Sequence, residues 1–344
     1  MAKHKCIYCL QEKDDVEFNR EHVVPRMMGT YRDSYVLSNY EVCEECNSYF
    51  SKELEDKIGL NSFEGFLKMQ YGRKMANRRM LRRDRVSFKG TNGIFKNLDF
   101  IPVVDNQNSA KIHFDILPRI GILSADQSNE YDYYEVESLP EASQGILDQL
   151  RGKDAGIVIV GMTQEEAMPY LKDKGYLDSN YEYNNVDVKD LYKENDFTTK
   201  ITVSIDSIVR RTCAKVVFNY LCYSEGKDFV LSSRFDDIRN YIRYGTWSEN
   251  LWFRCFQGPV LSADVPNDTA HVVGYMLYQE DGKWTLCGCL TWFGKITYLF
   301  KLGEMDHYVS AIKELPSTKM AYFDNDSRII TEDESVYVFV QGNE

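Results

Sequence analysis

Four cysteines in the first fifty residues fall as two tight pairs, Cys6-x2-Cys9 and Cys43-x2-Cys46, with 33 residues between them. Thiolates from two such knuckles suit the tetrahedral coordination of Zn2+, and a closed set of four leaves no position for a substrate. The spacing is therefore that of a structural staple. A module of about sixty residues has little core of its own, and a bound zinc can contribute roughly 10 kcal/mol or more to its folding. His4 is expected to be a solvent-exposed tail residue, because four thiolates already complete the site. The start of the chain, Met1-Ala2-Lys3-His4-Lys5, has no apolar leader, and paired cysteines in such a chain read as metal ligands rather than disulfides. Cys213, Cys222, Cys255, Cys287 and Cys289 lack partners at such spacing and sit in apolar or aromatic surroundings, so they are expected to be core thiols.

Chemistry needs more than a staple, and the stretch between the pairs offers it. It reads Phe18-Asn19-Arg20-Glu21-His22-Val23-Val24-Pro25, and Asn47 follows the second pair directly. Cys-x-x-Cys, then Glu-His-x-x-Pro, then Cys-x-x-Cys-Asn resembles the zinc-stapled branch of the HNH (ββα-metal) nuclease superfamily over about residues 3–60. The resemblance implies a metal-dependent endonuclease in which His22 activates water, while Glu21 and Asn47 hold a catalytic divalent cation. The family often has His where this chain has Asn47. A further Asn orients the loop bearing the histidine; Asn39 and Ser38 stand eight and nine residues before Asn47, and Asn39 is taken.

The residue types agree with those roles. Phosphodiester hydrolysis needs a base for the water and a cation to stabilise charge on the phosphoryl group and leaving oxygen. Imidazole titrates near neutrality and can be the base. Carboxylate and amide oxygens are hard donors, suited to Mg2+ or Mn2+. Glu53 and Glu55 on the following helix could also face the metal, but are read in preference as solvent-facing charges.

The elements that must hold these groups follow from periodicity. Phe50, Leu54 and Ile58 recur at i, i+4 and i+8, one stripe of a helix over 47–58, and Phe63, Phe66 and Leu67 mark a second helix. A basic run, Arg73 to Arg85, comes next and could touch phosphates without reading sequence. Short strands are expected at Ile112–Leu117, Tyr131–Val136, Gly156–Gly161 and Lys200–Ile205. A buried helix is expected over 206–224 and another at Phe235–Tyr244. Strands at His271–Tyr278, Trp284–Trp292, Ile296–Leu302 and Ser335–Val340 end the chain, with an Asp281-Gly282 turn. The fold class is thus α+β, divided as an HNH module at 1–62, a basic helical connector at 63–89 and a larger domain at 90–344 with antiparallel strands around a central helix.

The net charge of −12 is unevenly spread. Residues 1–90 hold 17 Lys and Arg against 14 Asp and Glu, so the acidity belongs to the remainder. No stretch reaches membrane-spanning length, and a soluble, cytoplasmic protein is expected. The larger domain carries no glycine-rich phosphate loop, serine elbow or second metal cluster. His113, His271 and His307 are read as structural, and Trp247, Trp252, Trp284 and Trp292 as core more often than ligand-stacking. By resemblance, such modules joined to a large partner domain serve restriction or anti-phage defence, with the partner domain receiving an activating ligand or protein. DNA is the expected substrate, and because one centre cuts one strand, a double-strand cut implies a homodimer. The rival reading is a zinc-dependent nucleic-acid-binding or regulatory protein whose nuclease centre is inactive; an RNA-directed nuclease is a third.

Overall fold

The computed structural model describes residues 2–71, 85–92, 95–104, 112–124, 130–151, 156–177, 183–185, 198–259, 269–280, 283–305 and 318–333. Two short hairpins open the chain. β1 (Lys3–Lys5) pairs antiparallel with β2 (Glu12–Asp14), and β3 (Glu21–His22) with β4 (Val36–Leu37). Helix α1 (Glu44–Phe50) then starts from Cys43 as its N-cap residue, which completes a ββα unit around the Glu-His dipeptide. A π-type turn, Ser51–Glu55, carries α1 into α2 (Asp56–Leu60), and α3 (Phe63–Tyr71) follows. Phe50, Leu54 and Ile58 are all fully buried, as their spacing predicts.

The next stretch holds two four-stranded sheets. One has the order β12-β5-β6-β7, from β5 (Val86–Gly90), β6 (Asp99–Val104), β7 (Ile112–Ile116) and β12 (Thr199–Val203). The other has the order β11-β10-β8-β9, from β8 (Arg119–Leu123), β9 (Tyr131–Tyr134), β10 (Ile157–Val160) and β11 (Tyr183–Asn185). Helices α4 (Gln144–Leu150) and α5 (Gln164–Asp173) bring Leu150, Ala167 and Leu171 into a core with Ile120, Ile122, Ile157 and Ile159. Thr163 and Glu166 form a reciprocal capping box at the start of α5.

Helix α6 (Ser207–Glu225) follows, capped by Asp206, whose carboxylate accepts from the Ile208 and Val209 N–H groups. After it come α7 (Lys227–Val230) and α8 (Asp236–Tyr244). A six-stranded antiparallel sheet closes the fold, in the order β13-β16-β15-β14-β17-β18. Its strands are β13 (Phe253–Gln257), β14 (His271–Glu280), β15 (Lys283–Trp292), β16 (Ile296–Met305), β17 (Thr318–Phe323) and β18 (Ile330–Asp333). A Cβ on Gly288 of β15 would come within 2.2 Å of Val217 Cγ1, so glycine is what lets α6 lie this close to the sheet.

Contacts divide the chain into two units, 78–203 on the one hand and 1–77 together with 204–344 on the other. These units do not follow the sequence boundaries at 62/63 and 89/90. The physical reason is the core of the first unit. Cys6, Tyr8, Val42, Phe50 and Leu54 of the N-terminal module share one apolar cluster with Val209, Val216, Phe218 and Leu221 of α6 and with Leu286 and Trp292 of the sheet. The helix read as the centre of the larger domain thus contributes directly to the core beneath the small one. Most of the basic run from Arg73 to Arg85, the Asp281-Gly282 turn, His307 and the Ser335–Val340 segment lie outside the described residues. Among the described residues no helix is long and apolar enough to cross a membrane.

Candidate active site

The cysteine cluster forms where the β1–β2 turn meets the start of α1. The Sγ atoms of Cys6, Cys9, Cys43 and Cys46 all lie within 4.8 Å of one another, and three of the four residues are buried. Backbone N–H groups of Tyr8 and Cys43 donate to Cys6 Sγ at 3.5 and 3.4 Å, and Arg243 Nε donates to Cys46 Sγ at 3.3 Å. Donors aimed at sulfur favour the thiolate form that a metal needs. The arrangement is that of a structural metal site, such as zinc. His4 is not part of it: the ring is half-buried and stacks on Tyr40 with centroids 4.2 Å apart, rather than hanging in solvent as a free tail.

A cleft of about 680 Å3 opens beside the cluster, and Glu21, His22 and Asn47 all line it. Antiparallel pairing of β3 with β4 fixes Glu21 against Leu37 and His22 against Val36, and successive strand residues point to opposite faces. Glu21 accordingly turns inward, 5 % exposed, while His22 stays half-buried toward the cleft. Among the described residues the His22 ring makes no hydrogen bond. Its burial, with Arg26 and Arg20 nearby, holds the imidazole below its ordinary pKa, so the neutral form prevails at pH 7. Asn47 Nδ2 donates to the Arg20 carbonyl at 3.0 Å, which fixes the amide; Oδ1 takes no hydrogen bond among the described residues and can serve as a ligand atom for a cation.

Three further residues of the α1–α2 stretch, Ser51, Glu55 and Asp56, join the cleft. Asn47, Ser51 and Glu55 stand at i, i+4 and i+8, so they share one helical face next to the buried apolar stripe. Glu53 and Glu55, read alike from sequence, are separated by that geometry. Glu53 is exposed and pairs with Lys57 at 2.6 Å, whereas Glu55 faces the cleft and is only 17 % exposed at its side chain. The solvent-facing reading holds for Glu53 and is corrected for Glu55. The i+8 spacing from Asn47 was the available signal.

The partners of Glu21 come from α6, nearly two hundred residues away. Arg211, Lys215 and Asn219 form a polar stripe at i, i+4 and i+8 on a helix otherwise buried among apolar residues. Lys215, fully buried, forms ion pairs with both Glu21 and Glu55. Burial works against its ammonium, yet the two carboxylates outweigh it and hold the group above its ordinary pKa. For Glu21 burial pushes the carboxyl up and Lys215 pulls it back. Asn219 Nδ2 donates to Glu21 Oε1 at 3.0 Å and to the His22 carbonyl at 3.2 Å, while its Oδ1 accepts from Tyr8 O–H at 2.6 Å. Arg211 reaches Tyr49 O–H at 2.7 Å. This stripe was missed in the sequence because its partners are distant along the chain.

Asn39 is not brought to the cleft. It is exposed, and its backbone N–H donates to Glu41 at 2.6 Å. The other cysteines are core thiols in the main: Cys213, Cys222, Cys287 and Cys289 are buried, and Cys255 is half-buried. Trp292 is buried and donates to Cys213 Sγ at 3.4 Å, whereas Trp247 is exposed. His271 is fully buried and structural, donating Nε2–H to the Met28 carbonyl at 3.3 Å and accepting the Phe293 N–H at Nδ1.

Residues 6–63 match the family model described as HNH endonuclease. That span takes in both cysteine pairs together with Glu21, His22, Asn47 and Glu55. It gives the N-terminal module a nuclease-type function, with nucleic acid as the substrate. No curated protein and no solved structure gives a significant match to the chain.

Proposed function

We propose that this protein is a metal-dependent DNA endonuclease of the cytoplasm, acting in restriction or anti-phage defence. One observation carries the reading: Glu21, His22 and Asn47 line one cleft on a ββα unit beside a four-thiolate cluster. Glu21 Oε2 and Asn47 Oδ1 are the atoms that would hold Mg2+ or Mn2+, whose chemistry is to stabilise charge on the phosphoryl oxygens and the leaving oxygen. His22, neutral and without a ring hydrogen bond among the described residues, takes the proton of the attacking water. Arg20 and Arg26 on the rim meet the flanking phosphates. Asn39 keeps only the role of a loop residue in this reading, since it stands apart from the cleft. Residues beyond 90 receive an activating ligand or protein, and two copies would be needed to cut both strands.

Plasmid cleavage in Mg2+ or Mn2+ tests the assignment. His22→Ala is expected to lower the rate by roughly 100-fold or more, the usual contribution of a positioned base. Undiminished cutting by that variant would remove His22 from its role. Structured RNA, assayed beside duplex DNA, separates the RNA-directed alternative. Binding of DNA without cleavage under either metal would support the rival regulatory reading.

A further inference from the structure

We infer that Glu55 is a third ligand-bearing side chain for the catalytic cation, and that Lys215 and Asn219 of α6 are positioning residues which turn Glu21 and Glu55 toward it. The inference rests on the nuclease reading above and deepens it. Both contacts to Glu21 fall on the same atom: Lys215 Nζ and Asn219 Nδ2 each meet Oε1. The contact of Lys215 with Glu55 is likewise to Oε1. The two Oε2 atoms take no hydrogen bond from the described residues, and both carboxylates line the cleft. One buried ammonium therefore gathers two carboxylates by one oxygen each and leaves the other oxygen of each for the cleft, where Asn47 Oδ1 likewise takes no hydrogen bond among the described residues while Nδ2 donates to Arg20.

Burial decides the role of Lys215. It is 0 % exposed, so it cannot reach a phosphate and cannot serve as a substrate contact. Burying an ammonium is costly unless charged partners surround it, and here they are the two carboxylates of the cleft. The oxygen donor set that results, two carboxylates and an amide, suits Mg2+ or Mn2+ in place of a thiophilic ion. Glu53, two residues before Glu55 and exposed, supplies an internal control. Asn219 adds a second constraint by gripping the His22 carbonyl, so the base and the cation ligand are held by one amide.

The test uses the full-length, zinc-loaded protein, with Mn2+ binding measured by titration calorimetry and plasmid cleavage followed across Mn2+ concentrations. Glu55→Gln is expected to weaken Mn2+ binding about tenfold or more, within the range known when groups around a metal are altered. The Mn2+ concentration for half-maximal cleavage should move in parallel. Lys215→Met should weaken binding in the same way, and Lys215→Arg should restore part of it. Glu53→Gln should behave as wild type. Zinc content and circular dichroism check folding, and if Lys215→Met fails to fold, Glu55→Gln and Lys215→Arg decide. Unchanged Mn2+ affinity in Glu55→Gln overturns the assignment of Glu55. Tighter Mn2+ binding in Lys215→Met overturns the positioning role, because Lys215 would then be a competitor of the cation. Wild-type cleavage with a Glu55→Gln affinity like wild type sinks this inference alone. Glu55-dependent Mn2+ binding with no cleavage sinks the nuclease reading alone.

Discussion

His271 makes stability depend on pH in a way that can be worked out beforehand. It opens β14, and its ring lies edge-on to Trp292 and Phe293, with centroids 4.8 and 4.3 Å away. Because Nδ1 accepts the Phe293 N–H at 3.2 Å, the proton sits on Nε2 and is given to Met28 O. Burial, opposed by the Met28 contact and assisted by Arg328, lowers the pKa from 6.5 to about 3. A histidine whose folded pKa is depressed gives its full stabilisation above the unfolded value. That contribution shrinks as pH falls from 6.5, and the loss levels off near 3. At pH 5 the unfolded chain binds the proton and the folded one does not, and 1.5 units at 1.36 kcal/mol each make the loss about 2 kcal/mol. Urea unfolding at pH 7.5, 6.5, 5.5 and 5.0, with zinc and ionic strength fixed, compares wild type with His271→Gln, which keeps a donor toward Met28. Other titrating groups, the cysteines included, are common to both proteins and cancel. The advantage of wild type should narrow by about 2 kcal/mol between pH 7.5 and 5. Two curves that stay parallel across this window would refute the reasoning.

Two other perturbations test how the parts depend on one another. Cys9→Ser, or dialysis against a strong chelator, should release zinc and unfold the N-terminal module; zinc content together with loss of near-ultraviolet dichroism reports it. The effect should spread to α6, because both share one core. Arg239 is 1 % exposed and donates to the Ile7 carbonyl at 2.6 Å, to the Val230 carbonyl at 2.6 Å and to Asp236. Arg239→Met strips donors from two buried carbonyls, and thermal or urea unfolding should show a loss of about 2–5 kcal/mol.

Short-range patterns were readable and long-range partnerships were not. The cysteine spacing, the Glu-His dipeptide and the stripe Phe50, Leu54 and Ile58 each depend on neighbours within a few residues, and each is where the sequence puts it. The helix over 206–224 also emerged, because its apolar period is strong. Its polar stripe did not, since nothing near Lys215 in the chain announces Glu21 and Glu55 as its counter-charges. Composition leaves Glu53 and Glu55 alike, as possible metal-facing or solvent-facing charges, and only helical geometry separates residues six and eight positions from Asn47. Strands Thr318–Phe323 and Ile330–Asp333 were not anticipated; β18 exposes two of its four residues and has too little alternation to stand out. The extent of each unit was the least legible feature, because the apolar surface of the N-terminal module is completed by residues beyond 204.

The origin of Lys215 and Asn219 so far along the chain has a consequence for synthesis. His22 leaves the ribosome 193 residues ahead of Lys215, and at typical elongation rates that is a delay of about 10–40 s. During this interval the nascent N-terminal segment has its four cysteines, Glu21 and His22, but not the Lys215 ammonium and Asn219 amide that contact Glu21 and the His22 carbonyl. A product released before residue 215, by premature termination or proteolysis, is left in the same state. The order of translation thus makes assembly of the cleft a late event, and incomplete chains lack the means to form it.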